Sequence, residues 1–144
     1  MPVISSGGFE SVTEKRALAL DLSQYAEPVE VLHIGDHDPS GAHLFLALAE
    51  DVEAFGLRYG LDVTFTRLAV IPAQIEALAL PTAPAKATDN RAFGGETCQA
   101  EAIAPDDLAR IIQQAIDDRL DREAYEDVLN REQAIRDDLE ERLQ

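Results

Sequence analysis

The chain has 144 residues, of which 46% are hydrophobic, and this composition excludes an intrinsically disordered chain and suits one globular domain with a buried core. The formal net charge is −16, and residues 1–100 and residues 101–144 each contain 14 acidic and 6 basic side chains. Such a surface repels phosphate backbones, so we expect weak non-specific binding of nucleic acid unless cations or another domain intervene.

The sequence lacks the usual signals for membrane insertion and secretion. No apolar run approaches the roughly 18 to 20 residues that span a bilayer. Residues 1–10 lack the basic start and the apolar stretch of a secretory signal. Cys98 is the single cysteine, which excludes an internal disulfide and a multi-cysteine zinc site. We therefore predict a cytoplasmic protein with a buried, unreactive thiol.

The first predicted elements are a short strand over residues 2–5 and a helix that begins at Ser11. Ser11 and Glu14 have the spacing of a capping box, in which the two side chains satisfy free amides of the first helical turn. Helical periodicity places three apolar residues on one face of this helix. They are Leu18, Leu22 and Tyr25.

A second strand and a second helix follow Pro28, which ends the first helix. The strand is almost continuously apolar, as in a strand that is buried on both faces of a parallel sheet. Its apolar residues are Val29, Val31, Leu32 and Ile34. After the link "GDHDPSG", the second helix has an apolar stripe and ends near Gly56 or Gly60. The stripe consists of Leu44, Leu48, Val52 and Phe55.

A third strand runs through Val63 and Phe65, and a short helix begins at Pro72. The alternation of strands and helices with short links predicts an α/β fold. We expect a small parallel sheet with crossover helices, similar to a Rossmann fold, and C-terminal helices. Residues 80–98 are predicted to form a long loop, and loops of this length are often functional.

The C-terminal part of the chain is predicted to be helical from Pro105 onward. One helix carries an apolar face made of Leu108, Ile111, Ala115 and Ile116. The last helix begins near Asp121 and has a thin apolar stripe, which packs either on the domain or on a second copy of the chain. The stripe is made of Tyr125, Val128, Ile135 and Leu139. We predict an α/β domain over residues 1–120 and a C-terminal amphipathic helix over residues 121–144.

Asp36 and Asp38 stand out because they follow the second predicted strand directly. Side chains at the carboxyl end of a parallel strand project into the crevice where α/β sheets bind ligands. Two carboxylates one residue apart can share a cation, which offsets their mutual repulsion. The alternative is a turn and a helix start over residues 38–41, with Asp38 or Ser40 as the cap. Local sequence leaves both interpretations open.

Spacing separates the metal sites that could use these aspartates. A calcium loop counted from Asp36 needs a bidentate glutamate at its twelfth position, where the chain has Ala47. A phosphate-binding loop would need a lysine, and "GDHDPSGAHLF" contains none. The nearby histidines, His33, His37 and His43, lack a spacing typical of zinc or iron sites. A pair of oxygen ligands suits Mg²⁺ best, with phosphoryl transfer as the expected chemistry.

The segments "VISSGGFESVTEKRAL" and "VLHIGDHDPSG" together resemble the TOPRIM domain of the topoisomerase VI A subunit type and its phage and plasmid relatives. The later segments "RLAVIPAQIEALALP", "PAKATDNRAF" and "CQAEAIAPDDLARII" resemble downstream blocks of the phage-type members. The resemblance covers roughly residues 2–120. It implies that Asp36 and Asp38 bind Mg²⁺, for which Mn²⁺ can substitute, and that they act in cleaving or rejoining nucleic-acid phosphodiesters.

The sequence departs from the TOPRIM pattern at the glutamate that completes the metal site. In the family this glutamate belongs to a VEK-like motif before the glycine-rich segment, where this chain has only residues 1–4. Glu10 and Asp89 are secondary candidates as ligands, although Glu10 aligns with no family glutamate. We therefore expect a domain without its N-terminal glutamate strand, as a fragment or as a remnant completed by another chain.

The resemblance also implies partners. Lys86 and Arg91 occupy positions that match the phage-type block, where they would contact nucleic acid, with DNA as the expected substrate. The nucleophilic tyrosine of the topoisomerases belongs to a separate domain, so we do not expect a complete topoisomerase. The alternative function is a non-catalytic, metal-binding module that acts through a partner or as a homodimer formed by the last helix. A phosphatase is a further alternative, but its nucleophile motif is absent.

Overall fold

The protein is described by a computed structural model, which defines residues 2–5, 11–85, 93 and 95–143. The helices are α1 (Val12–Leu22), α2 (Pro39–Gly56), α3 (Pro72–Ala77), α4 (Pro105–Asp117) and α5 (Arg122–Arg142). The strands are β1 (Val29–Ile34), β2 (Val63–Ala69), β3 (Ala83–Pro84) and β4 (Glu96–Thr97). Two short 3₁₀ turns cover Leu57–Tyr59 and Ala100–Ala102. The prediction of a mixed α/β chain with C-terminal helices is confirmed.

The sheet that positions the acidic link, which is residues 35–38 between β1 and α2, is a parallel pair of strands, β1 and β2. Val29 lies opposite Val63, and the register continues to His33 opposite Arg67. An irregularity after His33 then places Ile34 opposite Ala69. Because side chains alternate across a strand, the row Val29, Val31, His33 lies on one face of the sheet. The row Val63, Phe65, Arg67 lies beside it on the same face.

The hydrophobic core forms where α1 and α2 pack against this face of the sheet. Its buried members are Leu18, Ala19, Leu22, Leu48 and Val52. Partly buried residues of the sheet pack against them, and these are Val29, Val31, Val63 and Phe65. The apolar rows of both strands therefore become polar only at their carboxyl ends, at His33 and Arg67.

Two predictions about the strands are wrong. Residues 2–5 form no strand and are exposed, and Val3 retains 89% of its accessible surface. The β1 strand is not buried on both faces, because Glu30 and Ile34 are exposed. The reason is the size of the sheet: among the described residues only two strands pair in parallel, so one face of the pair stays partly open to solvent.

The helices lie where the sequence predicts them, but some residues that were predicted to face the core are exposed. Ser11 caps α1, and its hydroxyl accepts a hydrogen bond from the Glu14 amide at 3.2 Å. Tyr25 lies beyond the end of α1 and is 55% exposed. In α2, Leu44 is also exposed, although Leu48, one turn further along the same face of the helix, is buried. Lys15 is buried in α1 instead, and its ammonium lies 2.6 Å from the Asp51 carboxylate.

The segment predicted as a long loop over residues 80–98 has structured ends. β3 and β4 pair antiparallel, with Ala83 opposite Thr97 and Pro84 opposite Glu96. Cys98 then pairs with His37, which lies in the acidic link. The two ends of this segment are thus joined by the pairing of β3 with β4. Directly after β4 the chain reaches the acidic link that follows β1.

The chain divides into two compact units, Met1–Pro105 and Asp106–Gln144. The first contains the sheet, the core and the acidic link. The second contains nearly all of α4 and the whole of α5. The predicted division near residue 120 stays a prediction. Within the described part of the chain, no helix is both long enough and apolar enough to cross a membrane.

Candidate functional site

The acidic link joins the end of β1 to the start of α2 and contains residues 35–38. Asp38 occupies the N-cap of α2, and its Oδ1 atom accepts a hydrogen bond from the Gly41 amide at 2.6 Å. Pro39 is the first residue of the helix, where its missing amide hydrogen costs nothing. The interpretation of this segment as a turn with Asp38 as helix cap is therefore confirmed.

Asp36 has a different partner, far away in the sequence. Its Oδ1 atom accepts a hydrogen bond from the Ala100 amide at 2.8 Å. His37, the next residue, exchanges two backbone hydrogen bonds with Cys98, at 2.8 and 2.9 Å. The His37 ring also lies 5.0 Å from the ring of Phe93. The segment that follows the long loop is thus attached to the acidic link at several points.

Arg67 holds the link from the side of β2. Its guanidinium donates hydrogen bonds to the carbonyl oxygens of Gly35 at 3.0 Å, of Asp36, and of Gly41 at 3.3 Å. Its Nε atom lies 3.4 Å from the Val70 carbonyl oxygen, and the guanidinium lies 5.8 Å from the centre of the Phe45 ring. One side chain thus binds two carbonyl oxygens within the acidic link and one in the first turn of α2.

Charged side chains around the link shift the pKa values of their neighbours. Burial lowers the pKa of Arg67, and the negative charges of Asp36 and Asp38 partly oppose this effect. Burial and the positive charge of Arg67 both lower the pKa of His33. The same two causes lower the pKa of His37, although Asp38 opposes them. Both histidines are therefore favoured in their neutral forms, while the two aspartates face a fixed positive charge.

Cys98 is buried, as predicted from the sequence. Burial, together with the negative charge of Asp36, raises the pKa of its thiol. A raised thiol pKa disfavours the thiolate, which is the reactive form of cysteine. In this site Cys98 packs in the interior and pairs its backbone with His37.

Gly41 is required by a close approach of two backbone segments. A Cβ atom at this position would lie 2.4 Å from the Asp36 carbonyl oxygen, which is too close for any side chain. Because the same carbonyl accepts a hydrogen bond from Arg67, it cannot move without loss of that bond. The glycine in the sequence "DHDPSG" thus allows the helix start to pack directly on the acidic link.

The fit of Asp36 and Asp38 to a metal ion depends on the carboxylate oxygens that the backbone amides do not use. Each uses Oδ1 as an acceptor for a backbone amide, and neither Oδ2 atom has a hydrogen bond to another described residue. Oxygen ligands of this kind match Mg²⁺, which takes one or two carboxylates and completes its shell with water and phosphate. Among the described residues, no group of three or more His, Cys, Asp or Glu side chains could hold a metal ion.

Four other predicted site residues, Glu10, Lys86, Asp89 and Arg91, lie outside the described residues. Of the predicted site residues, the described part of the chain contains Asp36 and Asp38, which lie one residue apart in the acidic link.

Sequence reasoning missed Arg67 as a part of this site. The signal was present in "VTFTRLA", where an inward-facing apolar row of period two, Val63 and Phe65, ends on a charged residue. A charged side chain at an inward position needs partners, and here they include the carbonyl oxygens of Gly35 and Asp36 in the acidic link.

No family model, curated protein or solved structure matches this chain. The TOPRIM resemblance therefore stays a prediction from the sequence, and the functional argument depends on the geometry of the acidic link.

Proposed function

We propose that this chain is a TOPRIM-like domain that binds Mg²⁺ through Asp36 and Asp38 and acts on nucleic-acid phosphodiester bonds. The observation that carries the proposal is the arrangement of the two carboxylates. Both follow a parallel strand, both are fixed through Oδ1 by backbone amides, and both have an Oδ2 atom with no hydrogen bond to another described residue. Carboxylates fixed in this way lose little further entropy when they bind a cation.

The hydrogen bonds of Arg67 also support the proposal. They go to the backbone carbonyl oxygens of Gly35, Asp36, Gly41 and Val70 and not to the carboxylates. Arg67 therefore offsets part of the negative charge of the aspartates while leaving their oxygens accessible. A bound Mg²⁺ would polarise a phosphoryl oxygen and stabilise the charge that develops on the attacking or leaving oxygen.

Metal binding is tested by thermal unfolding in millimolar Mg²⁺ and Mn²⁺. A ligand at 100 times its dissociation constant stabilises a protein by about 2.7 kcal/mol, which corresponds to a rise of roughly 5 to 10 °C in a domain of this size. We expect this rise for the natural chain and its loss in Asp36→Asn and Asp38→Asn. Asp21→Asn, which removes an exposed carboxylate of α1, should keep it. An unchanged melting temperature in the natural chain would exclude the metal.

Action on nucleic acid is tested separately, with supercoiled and single-stranded DNA at low salt and with Mn²⁺. Low salt is needed because a chain of net charge −16 repels the substrate. We expect nicking that Asp38→Asn abolishes and that Asp21→Asn retains. Nicking that persists in Asp38→Asn would come from a contaminant and would contradict the assignment.

A second candidate function is a metal-binding module without catalysis, which acts by assembly with a partner. It is favoured by one observation: both aspartates already serve the fold, Asp38 as a helix cap and Asp36 as an acceptor for Ala100. A melting temperature that rises with Mg²⁺, together with an absence of nicking, would select this module over the enzyme.

A further inference from the structure

The last helix, α5, has an apolar face that no other described residue covers. Every residue from 121 to 143 is exposed. Six large apolar side chains of this segment are between 44% and 87% exposed, and they are Tyr125, Val128, Leu129, Ile135, Leu139 and Leu143. A helix of 21 residues with such a face gains stability mainly by packing against another element.

The spacing along this face is that of a coiled-coil seam. Six residues follow one another at intervals of four, three, four, three and four positions, and they are Tyr125, Leu129, Glu132, Arg136, Leu139 and Leu143. Alternating steps of three and four place residues on one line along a supercoiled helix. Val128 and Ile135 lie beside this line and widen the apolar face.

The centre of the seam is charged and carries both signs. Glu132 and Arg136 form an ion pair within the helix, with Nη2 of the arginine 2.9 Å from Oε1 of the glutamate. Both side chains are about 60% exposed, so they remain accessible to a second helix. Their order along the chain distinguishes the two orientations in which another copy of α5 could pack.

We propose that α5 pairs with α5 of a second copy of this chain, in antiparallel orientation, around the midpoint between Glu132 and Arg136. In this register Glu132 of each copy lies opposite Arg136 of the other copy. The same register pairs Leu129 with Leu139 and Tyr125 with Leu143. A parallel pair would instead place Glu132 opposite Glu132 and Arg136 opposite Arg136, and both like-charge contacts are unfavourable.

Most of the negative charge of α5 lies outside the seam. At 100° per residue, five acidic residues of α5 lie on the side of the helix away from the seam, and they are Glu123, Asp127, Asp137, Asp138 and Glu141. Two further acids, Glu126 and Glu140, border the seam on one side, where Val128 and Ile135 border it on the other. The seam itself carries one acid and one base, so its net charge is zero. This inference does not depend on the proposed metal or phosphodiester function.

The first experiment is sedimentation equilibrium of the full chain over concentrations from about 1 μM to about 1 mM, a range that covers weak helix pairing. We expect a reversible dimer. Glu132→Arg and Arg136→Glu should each weaken it roughly tenfold or more, because each creates two like-charge contacts between copies. An equimolar mixture of the two variants should restore a dimer, since every contact is then of opposite charge.

The mixture distinguishes a loss of pairing between copies from a loss of stability within the helix. Each single variant has lost its ion pair within the helix, so a purely structural role would leave the mixture as defective as its components. A natural chain that is monomeric at all concentrations, or a mixture that fails to recover the dimer, would overturn the proposal. The circular dichroism of each variant checks that α5 remains helical.

The orientation is tested by disulfide trapping in a Cys98→Ala background, with Leu129→Cys and Leu139→Cys as separate variants. The antiparallel register places residue 129 opposite residue 139, whereas two copies of residue 129 lie about 15 Å apart along the axis. We expect a cross-linked dimer from a mixture of the two variants and little from either alone. Efficient cross-linking of each variant alone would show a parallel pair and would overturn the register.

Discussion

The carboxylate of Asp36 accepts a hydrogen bond from the amide of Ala100, a residue 64 positions further along the chain. Together with the pairing of His37 with Cys98, this bond attaches the acidic link to the end of the long loop. Arg67 binds the other side of the link through carbonyl oxygens. Protein contacts alone therefore fix the position of the two aspartates, and we expect the link to keep its structure without a metal ion.

Substitution of Asp36 separates its structural role from its charge. Asp36→Ala leaves the Ala100 amide without its acceptor, which should lower the free energy of unfolding by about 1 to 3 kcal/mol. Asp36→Asn keeps a carbonyl oxygen at this place and should lose clearly less. Urea unfolding of both variants measures the difference. Equal losses in the two variants would show that the negative charge, rather than the acceptor, supports the fold.

Asp38 is expected to act through the N-cap of α2. Loss of the cap in Asp38→Ala should cost about 1 kcal/mol, while Asp38→Asn and Asp38→Ser retain an acceptor for the Gly41 amide and should cost little. Thermal unfolding in the absence of divalent cations provides the comparison. If Asp38→Asn is as unstable as Asp38→Ala, the hydrogen bond to Gly41 does not stabilise the helix as proposed.

Every substitution of Arg67, including lysine, should lower the free energy of unfolding. Arg67→Met leaves the carbonyl oxygens of Gly35, Asp36 and Gly41 without this donor, and we expect a loss of about 3 kcal/mol or more. Arg67→Lys keeps the charge but lacks the planar group that reaches several carbonyls at once, so it should recover only part of the stability. Denaturant unfolding of both variants tests this order, and full recovery by lysine would contradict it.

Lys15 and Asp51 form the ion pair that joins α1 to α2, with the lysine side chain 10% exposed and the aspartate 45% exposed. Asp51→Asn removes the charge that faces a buried ammonium and leaves it only neutral acceptors such as the Ala47 carbonyl oxygen, so we expect a loss of about 1 to 2 kcal/mol. Lys15→Met keeps the packing of the aliphatic stem and removes the charge, so it should cost less. A double-mutant cycle measures the coupling, and a larger loss for Lys15→Met would reverse this interpretation.

His33 gives the stability of the protein a dependence on pH. Its folded-state pKa lies below the ordinary value of 6.5, because of burial and Arg67. The unfolded chain therefore binds a proton more readily, and stability falls as the pH drops below about 6.5. His33→Leu should reduce this loss between pH 6.5 and pH 5. Its Nδ1 atom is buried without a hydrogen bond to a described residue, so the variant should also keep its stability at pH 7.5.

Chemical denaturation of the natural chain and of His33→Leu at several pH values measures this effect. His37 shows a pKa lowered by the same two causes, so His37→Gln provides a second variant with the same expected direction. A natural chain whose stability is constant from pH 7.5 to pH 5 would contradict the expectation for both histidines.

Local signals in the sequence located most helices and the two long strands. Ser11 before α1, Pro39 at the start of α2 and Pro72 at the start of α3 act through their nearest neighbours, so they can be recognised without the fold. Residues 2–5 were misassigned because a strand needs a partner strand, which local composition does not reveal.

The sequence alone determined that Asp36 and Asp38 follow a strand and precede a helix, because strand period and helix capping depend on residues close together in the chain. Only the tertiary structure decided what surrounds them. Ala100 and Arg67 reach the link across 64 and 31 residues, and such contacts depend on the register of β2 and the path of the loop. The proposed pairing of α5 depends on both kinds of information. Its seam can be recognised from residues close together in the sequence, whereas its partner is another copy of the chain.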